Sequence, residues 1–296
     1  MRLVGILAIA FLLAACGLSQ APAGSSTSGK VQVVAVENFW GSIAAQVGGA
    51  YTSVTSIISN PDTDPHDYDP TPHDARTIAQ ANYVIVNGVG YDGWAIKLLA
   101  ANPVPGRRIL NIGEMLGKKD GDNPHLWYSP EYVGQVVDRV AGDLGQLDMS
   151  DAAVLYQQGQ DYMNKALKAY HDTIGAIKQR YSGTKVGATE SIFTYLAEGC
   201  GLDLITPPGY LHAISEGADP SAADKATVES QIATRAMKVF VYNSQNSTPE
   251  VQGLVAKARA KAIPVVTVTE TMLPAGAKFQ DWQTAQLNVL LQALGG

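Results

Sequence analysis

Residues 152–181 run without a proline and are rich in good helix formers. A helix of about thirty residues spans roughly 45 Å at 1.5 Å per residue, the length of a whole domain. Ser150-Asp151 offers a cap region and Ser182-Gly183 a stop. A rod of that length divides the chain into two flanks, and both carry the same pattern. On the N-terminal side VQVVAVENFW, YTSVTSIISN, YVIVNGV and RRILNIG read as strands, with helices predicted over WGSIAAQVGG, 72–81 and 91–101. On the C-terminal side KVGAT, 202–205, KVFVYN and PVVTVTE read as strands. Helices are predicted there over 191–199, 222–235, 248–261 and 281–294, with a polar loop between 205 and 222. Strands alternating with helices build parallel βαβ units and an open sheet. The expected fold is therefore α/β, with two similar lobes of parallel sheet joined by one long backbone helix.

Two histidines stand in matched settings. Asp64-Pro65-His66 and Asn123-Pro124-His125 each put a histidine after a proline that follows a short polar residue. An X-Pro pair holds the first residue extended and fixes φ of the second, so each imidazole is presented from a stiff loop. Metal ligation needs such preorganisation. In open parallel sheets, ligands bind beyond the carboxyl ends of the strands. His66, Glu190 and Glu270 each come just after a strand run, and His125 lies in a loop after the fourth strand. Four metal-capable side chains, two per lobe, point to a site in the cleft between the lobes. Two neutral imidazoles and two carboxylates form a donor set that neutralises a dication. The absence of a thiolate disfavours Cu(I), and calcium and magnesium prefer all-oxygen shells. Zinc accepts four such ligands, and manganese accepts them when the carboxylates bind through both oxygens.

Other residues receive plainer readings. His73 is expected on a helix surface or behind a ligand, His171 solvated, and His212 in a loop able to approach the cleft. Cys200 reads as a small core residue of the second lobe, and Trp40, Trp94 and Trp127 as core. Asp62, Asp64, Asp67 and Asp69 are candidates to orient His66, although a solvated acidic loop accounts for most of them.

The N-terminus reads as a processing segment. Arg2 precedes an apolar run, 3–13, too short to span a bilayer, which ends in Leu13-Ala14-Ala15-Cys16-Gly17. The pattern resembles a bacterial lipoprotein signal that leaves Cys16 as the acylated first residue. The expected divisions are a signal peptide over 1–15, lipidated Cys16 and a Gly/Ser/Ala/Pro tether over 16–30, an N-terminal lobe over 31–149, the connecting helix over 150–182 and a C-terminal lobe over 183–296. With Cys16 used for lipid, Cys200 has no intramolecular partner. The net charge of −6 argues against nucleic acid as a partner.

At this point the motifs resemble a family, the metal-binding receptor lipoproteins of zinc and manganese ABC importers. DPHDYDPTPHDARTIAQANYVIVNGVGYDGW is similar to its first histidine loop, helix and strand, and NPHLWYSPEYV to its second histidine loop. TESIFTYLAEGCGL resembles its third-ligand segment, and IPVVTVTETM stands where its last strand ends in a carboxylate. The resemblance implies one divalent metal ion, manganese or zinc, held as cargo by His66, His125, Glu190 and Glu270. It implies delivery to an ABC permease by a monomeric, extracytoplasmic receptor anchored to the membrane through Cys16. The chain departs from the pattern in lacking a histidine-rich loop before His125 and in carrying glutamate at 190 and 270. Glu190 resembles manganese members more than zinc members. Alternatives from other classes are a metal-dependent hydrolase, a surface adhesin and a receptor for an organic solute. A hydrolytic zinc keeps an open position for water, whereas four protein ligands fill the shell here, and HExxH, GxSxG and phosphate-loop motifs are missing from the sequence, so no enzymatic activity is expected.

Overall fold

The computed structural model describes residues 29–61, 63 and 68–295. Cys16 and His66 therefore lie outside the described residues, as do Asp62, Asp64 and Asp67. The first half contains β1 (Val31–Glu37), α1 (Asn38–Gly48), β2 (Thr52–Ile58), α2 (Pro72–Ala79), β3 (Tyr83–Val86), α3 (Gly93–Ala101), β4 (Arg108–Asn111) and the single turn α4 (Ile112–Met115). Two longer helices come next, α5 (Pro130–Leu147) and α6 (Ala152–Asp161), then a π-helical turn over Tyr162–Ala166 and α7 (Lys168–Tyr181). The second half contains β5 (Lys185–Ala188), α8 (Thr194–Gly199), β6 (Asp203–Leu204), α9 (Pro208–Ser215), α10 (Ala222–Ala233), β7 (Val239–Asn243), α11 (Pro249–Ala260), β8 (Val265–Val268) and α12 (Phe279–Leu294).

All strand pairs are parallel, in two four-stranded sheets ordered β2-β1-β3-β4 and β6-β5-β7-β8. The second order repeats the first. In each sheet the order reverses beside the opening strand, so the carboxyl ends of β1/β3 and of β5/β7 flank a crevice. Every residue of β3 is buried, as parallel strands covered on both faces require.

Three differences from the sequence reading stand out. The uninterrupted helix expected over 150–182 is instead α6, the π turn and α7, with Leu167 leaving helical geometry at φ −80 and ψ 1. Tyr162 opens that turn, is buried, and donates its hydroxyl to Gln280 Oε1 at 3.3 Å. Second, α5 went unread; it starts on a Ser129 cap with Pro130 in its first turn and buries Val133, Val136, Val137, Val140 and Leu144, a helical stripe. Third, α9 occupies the stretch read as polar loop, so His212 is an exposed helical residue.

The largest apolar cluster draws on both sheets and on α1, α5, α7 and α12. Phe39 stacks on Trp127 at 4.0 Å, and Tyr128 meets Trp282 edge-on at 5.9 Å. One core is thus continuous across the two halves. The opposite face of each sheet is covered by its own helices, α2 and α3 in the first half, α9, α10 and α11 in the second. Trp40, Trp127 and Cys200 are core as expected, and burial pushes the Cys200 thiol up to about 12. Among the described residues, no helix is long and apolar enough to cross a membrane.

Candidate metal centre

His125, Glu190 and Glu270 converge. One ligand atom from each lies within 4.8 Å of the others, and all three side chains are buried. Glu190 follows β5 by two residues, Glu270 follows β8 by two, and His125 enters from the long loop after α4. The residues thus come from both halves, at the carboxyl ends of strands. His66 lies outside the described residues. His73 is three-quarters exposed on α2, and His171 is partly buried against Tyr170, where it was expected to be solvated; burial lowers its pKa. Asp69 is exposed. His212 lines a cavity of about 440 Å³ that reaches Asn123 and Ser191, behind the His125 ring.

The Asn-Pro-His sequence explains the ring's setting. Asn123 Oδ1 accepts the His125 backbone N–H at 3.1 Å and faces ring Nδ1 at 2.7 Å. With Asn123 Nδ2 donating to Ser191 O at 2.8 Å, the amide orientation is fixed, and Oδ1 takes a proton on Nδ1. The tautomer therefore places a lone pair on Nε2, which sits 3.6 Å from Glu270 Oε1. Two acceptors so placed are a pair that a shared cation could bridge. Asn87 secures the loop from below: its Nδ2 donates to Pro124 O at 2.9 Å, while its Oδ1 accepts Trp40 Nε1–H at 3.1 Å. Tyr195 adds a hydroxyl to Asn123 O at 3.0 Å.

The carboxylates are equally held. Glu190 accepts Asn243 Nδ2 at 2.5 Å on Oε1 and Asn246 Nδ2 at 2.6 Å on Oε2. Glu270 accepts Asn243 Nδ2 at 3.1 Å on Oε1 and the Tyr91 hydroxyl at 2.7 Å on Oε2. The sequence does not single out these partners, nor Ser191, whose hydroxyl lies 3.3 Å from His125 Nδ1, nor Ser215, which meets the Ser191 hydroxyl at 2.7 Å. Their only sequence signal is that asparagine closes the third strand run of both halves, YVIVN and VFVYN.

A second carboxyl pair lies at the crevice of the first sheet. Glu37 ends β1, fully buried, beside buried Asp92. Asp92 accepts the backbone N–H of Asn87 at 2.6 Å and of Gly88 at 2.8 Å. Burial, and then the Asp92 charge, hold the Glu37 carboxyl well above the usual carboxylate range; burial also pushes Asp92 up to about 6.

A sequence model of the ZnuA family, described as zinc-uptake complex component A, periplasmic, matches residues 33–293. The chain belongs to this family. The manganese-binding lipoprotein MntA of Halalkalibacterium halodurans is 25% identical over 212 residues, 68% of this chain and 67% of the relative. The metal ABC transporter substrate-binding lipoprotein FimA of Streptococcus parasanguinis is 24% identical over 276 residues, 84% of each chain. Among solved structures, the manganese-bound periplasmic metal-binding protein of Candidatus Liberibacter asiaticus superposes with a TM-score of 0.74 at 19% identity, over 90% of this chain and 100% of that one. The substrate-binding protein FpvC of Pseudomonas aeruginosa, in complex with Mn2+, gives 0.71 at 19% identity over 90% and 98%. These likenesses bear out the α/β two-lobe fold. The family is the substrate-binding component of metal ABC transporters, so its members work with a membrane permease.

Proposed function

We propose that this chain captures one divalent transition metal ion outside the cytoplasm and hands it to an ABC permease, the ion being held by His66, His125, Glu190 and Glu270. The observation that carries the reading is the convergence of His125, Glu190 and Glu270, buried, from two parallel sheets, with the His125 tautomer set to offer Nε2. Three donors of this kind match zinc or manganese and not calcium, copper(I) or an organic solute. Manganese is the favoured cargo: both acids are glutamates, and relatives such as MntA carry manganese in their names. The receptor acts as a monomer without catalytic turnover. It comprises lobes over 31–149 and 183–296 joined through 150–182, and is tethered through acylated Cys16 after removal of 1–15.

Native mass spectrometry of metal-stripped protein, titrated with manganese and zinc alone and in competition, tests this. One ion per chain is expected, and His125→Ala is expected to lose it. A parent that takes up neither ion stoichiometrically, or a His125→Ala variant that binds like the parent, refutes the assignment.

A further inference from the structure

Asn243 ends β7, at the order reversal of the second sheet, and is fully buried. Its Oδ1 accepts the Gln245 backbone N–H at 3.0 Å. A backbone donor must face oxygen, so Nδ2 is fixed on the side of the carboxylates. From there it reaches Glu190 Oε1 at 2.5 Å and Glu270 Oε1 at 3.1 Å. An amide nitrogen carries two hydrogens, and one goes to each acid. The two N–H bonds diverge by about 120°, so each acid is held on its own side of the amide. Asn246 and Tyr91 occupy the other two oxygens, at 2.6 and 2.7 Å. Each carboxylate therefore has a protein donor on both oxygens and cannot turn freely between giving a metal one oxygen and giving it two.

Intrinsic affinity at nitrogen and oxygen donors runs in favour of zinc over manganese, so any preference for manganese has to come from geometry. We propose, resting on the metal-capture reading above, that Asn243 is a positioning residue that sets the metal preference: its carboxamide yokes Glu190 to Glu270, so that neither acid turns on its own from giving two oxygens to giving one, the change that four-coordinate zinc requires. Asn243 does not touch the ion. Its effect passes entirely through the two acids, which come from segments that β5 and β8 deliver on either side of β7.

The test compares the parent with Asn243→Ala. Zinc against manganese is measured by competition in native mass spectrometry, and cobalt(II) is used as a spectroscopic probe. In the variant the preference for zinc over manganese is expected to rise at least tenfold, and the cobalt visible bands to intensify as the shell moves towards four ligands. If both metals weaken by one factor and the cobalt spectrum is unchanged, Asn243 is structural only and the proposal falls. A parent that binds no metal, indistinguishable from His125→Ala, overturns the capture reading itself, a result readable from the parent alone. Should Asn243→Ala fail to fold, 15N-labelled parent decides. Both side-chain amide protons of Asn243 are expected to exchange slowly, with separate hydrogen-bonded shifts, before and after zinc loading. A rapidly exchanging pair with ordinary shifts overturns the yoke.

Discussion

Replacing Glu37 by glutamine removes a carboxyl whose ionisation is opposed by burial in the folded chain and not in the unfolded one. Glu37 is fully buried, and its carboxyl is raised by burial and by Asp92; Asp92 itself is raised to about 6. For an acid raised on folding, the folded state binds the extra proton, so stability is greatest below the unfolded pKa and declines as pH rises. For Asp92 the loss is on the order of 3 kcal/mol and is complete by about pH 7. Glu37 is raised as well, and while it keeps its proton in the folded chain stability falls by about 1.4 kcal/mol per pH unit. Glutamine has the same shape and does not titrate. The metal-free parent is therefore expected to lose more stability than Glu37→Gln as pH rises from 5 to 8, by up to about 1.4 kcal/mol for each unit over which Glu37 keeps its proton. Urea unfolding at intervals from pH 5 to 8, with equal m-values as the control, reads this directly. Curves for the two proteins that run parallel from pH 5 to 8 would refute the reasoning, because Glu37 would then be ionised in both states.

Glu270→Ala is expected to weaken metal binding at least tenfold by calorimetry while leaving the metal-free chain folded, since a buried acid beside Glu190 is removed; Glu270→Asp is expected to retain binding with altered affinity. If Glu270→Ala binds like the parent, Glu270 is not a ligand. Cys16→Ser is expected to move the chain from the membrane to the soluble fraction with metal affinity unchanged, and fractionation followed by immunoblotting checks it. Small-angle scattering of metal-free and loaded protein is expected to superpose, because a continuous core joins the halves; a large compaction on loading would count against that rigidity.

The strands were legible because buried parallel strands are short apolar runs: YVIV and VFVY stand out in any window. α5 was equally legible in its spacing of Val133, Val136, Val137 and Val140, but its valines and glycines read as neither a clear helix nor a clear strand. α9 hid behind Pro207-Pro208-Gly209, which looks like loop and serves as a helix start. The π turn at Tyr162–Ala166 adds a residue to the helical path without a proline or glycine to announce it. At the site, position after a strand pointed to Glu190 and Glu270, and the Pro-His pair pointed to His125. Asn243, Asn246 and Tyr91 escaped because an asparagine after a strand is ordinarily a turn residue. Their partners are also remote in sequence: Tyr91 meets an acid 179 residues away.

The continuous core has a consequence for the lifetime of the receptor. Halves that share Phe39, Trp127, Tyr128, Trp282 and Phe279 in their largest cluster cannot lose that cluster singly, so opening one half exposes the other. Whatever a bound ion adds is then added to every part of the molecule at once, about 2.7 kcal/mol at a hundredfold excess over Kd. Outside the cell, where proteases sample the opened form, a loaded chain at that excess is cleaved roughly a hundredfold less often than an empty one when opening is fast relative to cleavage. Metal scarcity thus shortens the life of the receptor through thermodynamics alone, with no dedicated sensor.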